Sequence, residues 1–149
     1  MKKIVIIILT SLFLSLFIFE LTNAKNLNFE KGKKLFDTKK YIDSKFYFEK
    51  DIVFNPKSEN SYLYLAKIFK QDEKDKLEEN NLNTVLLLNP KNEEAIYLLA
   101  LLSIKKSNFS KAKQLISNLA SVCKEFCSSK KELIKKLDSA QKSKWIKDL

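Results

Sequence analysis

The 149 residues contain no histidine and no arginine, one glycine, one tryptophan, two prolines and two cysteines. Each shortage excludes something. Without histidine the chain lacks the commonest general base and the commonest metal ligand, and two cysteines alone are too few for a structural zinc site. Without arginine it lacks the planar fork that reads guanine and grips phosphate bidentately. No nucleic-acid partner is therefore expected, despite a net charge of +10. One glycine and two prolines leave little material for the tight turns of an all-β design. No phosphate loop, metal spacing or nucleophile–base set is present. The acid pairs Glu78/Glu79 and Glu93/Glu94 are adjacent in sequence, so on a helix they point about 100° apart and do not converge on one centre. No enzyme, no metal and no cofactor is expected.

What is abundant is lysine, leucine, isoleucine, asparagine and glutamate, with 45% hydrophobic residues overall. That is enough for one helical core. Every basic side chain is a lysine. The bias toward Lys, Asn, Ile and Phe matches AT-rich codons, and it also suits an acidic partner or an anionic surface.

The N-terminus reads as an export segment. Lys2 and Lys3 precede an apolar run from Ile4 to Phe19, and Thr22 and Ala24 supply small residues at a cleavage site. Cleavage after Ala24 leaves a chain starting at Lys25. The 16-residue run falls short of the roughly 18–20 residues that span a bilayer, though it sits near the boundary of an uncleaved anchor. The expected location is periplasmic or secreted, with an inner-membrane anchored form facing the periplasm as the alternative.

Both prolines lie in one tripeptide, Asn55-Pro56-Lys57 and Asn89-Pro90-Lys91, 34 residues apart. Such a period marks a stacked helical repeat. With Pro56 at position 32, the first unit places Gly32 at position 8, Tyr41 at 17, Ser44 at 20 and Phe48 at 24. The second places Tyr62 at 4, Leu65 at 7, Ala66 at 8, Phe69 at 11 and Leu82 at 24. The third places Ile96 at 4, Leu99 at 7, Ala100 at 8, Phe109 at 17, Ala112 at 20, Ile116 at 24 and Ala120 at 28. Small residues at 8 and 20 let two helices approach closely, and proline at 32 ends the second of them.

In these positions the chain resembles the tetratricopeptide repeat family over 25–122, as units 25–58, 59–92 and 93–122. The resemblance implies an all-α, right-handed superhelical solenoid of three helical hairpins. Residues 123–149 then form a cysteine-containing junction and a C-terminal capping helix. There are departures. Asp75 and Glu78 stand where an aromatic and a small residue belong, so the second helix of that unit is expected to start late or tilt. Asp51 stands where alanine is usual, and the third unit has no closing proline. Ser58 and Asn92 are placed to cap the helices that follow them. Ser129 with Glu132 forms a capping-box pattern opening the last helix, whose apolar stripe is read as Leu133, Ile134, Leu137 and Ile146. Trp145 reads two ways, as packing on the third unit or as docking a partner.

The resemblance also implies an inner groove lined at positions 2, 5, 9, 12 and 13 of each unit. Carried over, the first unit contributes Asn26, Phe29, Lys33, Phe36 and Asp37. The second contributes Asn60, Leu63, Lys67, Lys70 and Gln71, and the third Glu94, Tyr97, Leu101, Ile104 and Lys105. The site expected is Phe29, Lys33, Phe36, Leu63, Lys67, Lys70, Tyr97, Leu101 and Lys105, a mixture of apolar knobs and lysines suited to a peptide or protein with acidic residues. The terminal-carboxylate clamp of chaperone-binding members is not reproduced. Cys123 and Cys127, even in number in an exported chain, are expected to pair as a disulfide, with free thiols as the other reading. A cysteine pair between the last repeat and a final helix also looks like small exported tetratricopeptide proteins of Gram-negative bacteria, which implies an envelope adaptor. The competing function is attachment to an anionic envelope surface through the lysine-rich last helix.

Overall fold

The computed structural model describes residues 27–147. The export segment read over 1–24, and the groove position Asn26, lie outside them. The described residues are all-α: α1 over 27–37, α2 Tyr41–Phe54, α3 Glu59–Gln71, α4 Asp75–Leu88, α5 Glu93–Lys105, α6 Phe109–Val122 and α7 Ser129–Lys147. Among them none is long and apolar enough to cross a membrane.

The 34-residue period is written into the backbone. Lys39, Glu73 and Ser107 stand 34 apart and all adopt the left-handed conformation, with φ of 60°, 56° and 56°. After each of them the same bond recurs: Lys40 N–H to the Leu35 carbonyl, Lys74 to Phe69 and Asn108 to Ser103, at 2.9, 2.9 and 2.8 Å. This is the Schellman end of a helix, which satisfies carbonyls that the last turn leaves open. Glycine usually holds the left-handed residue. Here a lysine, a glutamate and a serine do so, each at a steric cost of about 1–2 kcal/mol. The next helix begins two residues later each time, at Tyr41, Asp75 and Phe109.

That last regularity corrects the expectation for α4, which begins in register rather than late. Asp75 suits the positive end of its helix and its carboxylate holds Lys105 Nζ at 2.6 Å, so it replaces the aromatic without delaying the start. Asn92 caps α5, its Oδ1 accepting from Ala95 N at 2.8 Å, and Asn108 caps α6 in the same way from Lys111 N at 3.2 Å. Ser58 donates its hydroxyl to Ser61 Oγ at 3.0 Å.

Residue contacts divide the chain into two compact units, up to Ser61 and from Tyr62 onward. In the first, the Phe48 ring is fully buried and lies 5.8 Å from the Phe29 ring. Gly32 allows this packing, because a Cβ there would meet Phe48 ring carbons at 2.8 and 2.9 Å. Ser44 Oγ donates to the Gly32 carbonyl at 2.8 Å, which satisfies a buried hydroxyl. Asp51, where alanine was the expected type, is buried. Its Oδ2 accepts from Ser61 Oγ at 2.6 Å, while Oδ1 finds no partner among the described residues.

The second unit is organised around α5, which touches α4, α6 and α7. Ala95, Ile96, Leu98, Leu99, Ala100, Leu102, Ser103 and Ile104 are all buried, so this helix is apolar on most sides because it has neighbours on most sides. Leu82 and Val85 of α4, Leu115, Ile116 and Leu119 of α6, and Leu133 and Leu137 of α7 complete the core. Only part of the stripe expected on α7 is buried. Ile134 is 39% exposed, Ile146 72% and Trp145 73%. Residues 133 and 134 diverge by about 100° around a helix, and the side that faces the core takes the row of Leu133, Leu137 and Ala140.

Cys123 and Cys127 form a disulfide across a non-helical junction, with Cα atoms 5.2 Å apart. Glu93, the first residue of α5, anchors the same junction. Its Oε1 accepts from Lys124 N at 2.7 Å and its Oε2 from Glu125 N and Phe126 N at 2.9 Å each. Those backbone donors, Phe126 first, hold the Glu93 carboxyl below its ordinary pKa.

Candidate functional site

In the first unit the expected groove residues lie on α1, and each already has a partner in the unit. Phe29 stacks toward Phe48, Phe36 lies edge-on to Tyr41 at 5.3 Å, and Lys33 Nζ pairs with Asp37 at 2.8 Å. A polar depression of about 290 Å³ opens beside Phe29, Asp51, Asn55 and Glu59.

In the second unit the expected residues separate into three kinds. Leu63 is buried in the core cluster and presents little surface. Lys67 is half-buried, pairing with Glu94 at 2.8 Å and lying 4.7 Å from the centre of the Tyr64 ring. Lys70 is exposed. Tyr97 leans on Phe126 at 5.6 Å and donates its hydroxyl to Glu132 at 3.3 Å. Burial, then the Glu132 charge, raises its phenol pKa.

Leu101 and Lys105 come together in a cleft of about 720 Å³ between α5 and α7. Its floor is Leu101, Ile104 and Ala140, and its rim is Lys105, Lys135 and Lys136 with Glu132 and Ser139. Two of the three rim lysines are partly neutralised, Lys105 by Asp75 at 2.6 Å and Lys136 by Glu132 at 3.5 Å. The α7 contribution is absent from the sequence-derived site. The signal for it is in the spacing: Lys33, Lys67, Leu101 and Lys135 stand 34 apart, which carries the 34-residue count onto α7.

Outside the cleft lining, α4 carries two carboxylates of opposite character. Glu79 accepts from Lys106 and Lys111, whose bonds hold its pKa down. Glu78 is buried, and desolvation raises its pKa above 4.5, with Asp75 adding to the rise while Lys70 and Lys105 oppose it. A depressed carboxyl contributes stability above its unfolded pKa and loses it as pH falls through the folded value. A raised one contributes fully below its unfolded pKa and loses that contribution as pH rises through the folded value. Glu78→Gln is therefore expected to raise the thermal midpoint at pH 7 and leave it nearly unchanged at pH 3.5. A variant that melts lower than the parent at pH 7 would refute this account of the buried carboxyl.

No protein-family model matches the sequence, and no curated protein matches it. Solved structures do match. The first tetratricopeptide domain of Spaghetti (RPAP3), bound to the HSP90 peptide SRMEEVD, aligns at a TM-score of 0.71 and 18% identity, covering 78% of this chain and 93% of its own. The Yersinia enterocolitica type III secretion chaperone SycD, in complex with a peptide of the translocator YopD, aligns at 0.70 and 12% identity, covering 80% and 93%. The Arabidopsis OM64 tetratricopeptide domain aligns at 0.68 and 16%, covering 77% and 98%. With the recurring helix ends and the small residues at position 8, these likenesses lead to one conclusion: the chain has the tetratricopeptide-repeat fold.

Proposed function

We propose that the chain is an exported interaction module that holds a peptide or a segment of another envelope protein and performs no chemistry of its own. The observation that carries this reading is the α5–α7 cleft, whose apolar floor lies within a rim of lysines. An apolar floor anchors side chains and a basic rim steers and orients acidic ones. Two similar folds were solved with a peptide bound, which supports the same use here. The N-terminal lysines, apolar run and small residues, together with the disulfide, support placement outside the cytoplasm.

Fluorescence anisotropy with labelled peptides of mixed acidic and apolar residues tests the reading. Binding is expected to weaken with salt and to drop at least about tenfold in Leu101→Glu/Lys136→Glu. Equal binding by the parent and this variant would remove the cleft from the account. Mass spectrometry of the chain recovered from cells checks export, the mature form being expected to begin at Lys25.

A further inference from the structure

The first helix of each hairpin carries a small residue at position 8, Gly32, Ala66 and Ala100, and all three are buried. In the first hairpin Ser44 and Phe48 of the second helix lie directly on that residue. In the third, Ala100 shares a core with Ala112 and Ile116 of α6. Position 8 is thus the floor on which the second helix of a hairpin rests. In α7 the same position is Ile134, large and 39% exposed, and no described helix rests on it.

The bare face continues along α7. Trp145 lies 11 residues on, within about 20° of Ile134 around the helix and about 16 Å along it. Shallow depressions of about 430 and 460 Å³ follow this face. Lys131, Lys135 and Lys142 line it against the single acid Asp138, and no ion pair joins these lysines to the described residues. We propose that this face of α7 docks an amphipathic helix of a partner protein, acidic along its edges, which takes the place of a second helix in a fourth hairpin. The charge selects the occupant: a second copy of a chain carrying +10 would set lysine against lysine, whereas an acidic helix neutralises them. The face adjoins the α5–α7 cleft and shares Lys135 and Ser139 with it, whereas Lys131, Ile134, Lys142 and Trp145 line this face and not the cleft.

Trp145 is the chain's one tryptophan, so its emission reports this face alone. The probe is a synthetic helical peptide of about 16 residues, with leucines spaced three and four apart and glutamates flanking them. Titrated into the full chain, it should shift Trp145 emission to the blue with saturation. The dissociation constant should rise at least tenfold in Lys131→Glu/Lys142→Glu and in Ile134→Ser, and hold in Leu101→Glu/Lys136→Glu. A peptide with lysine for every glutamate should produce no shift. The proposal fails if the acidic peptide leaves the emission unchanged, if the basic peptide binds equally, or if the cleft variant abolishes the shift. It fails equally if the shift appears without peptide, either on raising protein concentration with dimer formation in sedimentation, or on adding phosphatidylglycerol vesicles.

Discussion

Phe48→Ala is expected to destabilise the first unit by about 3–5 kcal/mol, because it empties a fully buried aromatic site. Whole domains are stable by only about 5–15 kcal/mol, so the loss should be visible as a large fall in the urea midpoint. The mechanism is sharper than cavity formation alone. Phe48 lies on Gly32 so closely that a methyl group there overlaps the ring at 2.8 Å. Gly32→Ala in the parent therefore combines a helix-propensity gain of about 1 kcal/mol with an overpacking cost of about 1–3 kcal/mol, for a net loss. In the Phe48→Ala background the ring is gone and only the gain is left. The same substitution is thus expected to change sign between the two backgrounds, a coupling that a double-mutant cycle measures directly. Stabilisation by Gly32→Ala in both would show that the ring moves aside freely.

Leu133→Ala is expected to cost about 2–5 kcal/mol, and Ile134→Ala, one residue on, less than about 0.5 kcal/mol. Leu133 is fully buried in the core of the second unit, whereas Ile134 faces solvent over much of its surface. Other contacts hold α7 as well: Leu137 in the core, Lys144 lying 5.8 Å from the centre of the Phe109 ring, and the Tyr97–Glu132 bond. Hydrogen exchange should accordingly show α7 amides losing protection first in Leu133→Ala, with the first unit unchanged. Equal loss in the two variants, or loss centred on α1 and α2, would contradict the placement of these neighbouring side chains.

The parts of this structure legible in the sequence are those set by steric exclusion. Pro56 and Pro90 cannot continue a helix, and Gly32, Ala66 and Ala100 mark where backbones come close, so helix spans and their spacing followed from a few residues. The left-handed corners were not legible, because the glycine that usually marks them is replaced by Lys39, Glu73 and Ser107. The start of α4 is not legible from packing preferences, because Asp75 acts there through its charge on Lys105. On α7, lysines cover both the cleft side and the bare side, so hydropathy alone placed Ile134 and Ile146 on the core stripe. Trp145 reads two ways for the same reason. For the cleft, only Leu101, Ile104 and Lys105 of the expected positions line it, because its other wall comes from a helix treated as a plain end cap.

The three amide bonds received by Glu93 make the disulfide the second fastening of its loop, since the carboxylate draws Lys124, Glu125 and Phe126 inward without any oxidant. The sulfurs flank the very segment that the carboxylate gathers, so oxidation closes a ring whose outline hydrogen bonding has already traced. A thiol form of this protein would keep its clasp on the head of α5 and give up only the covalent rivet.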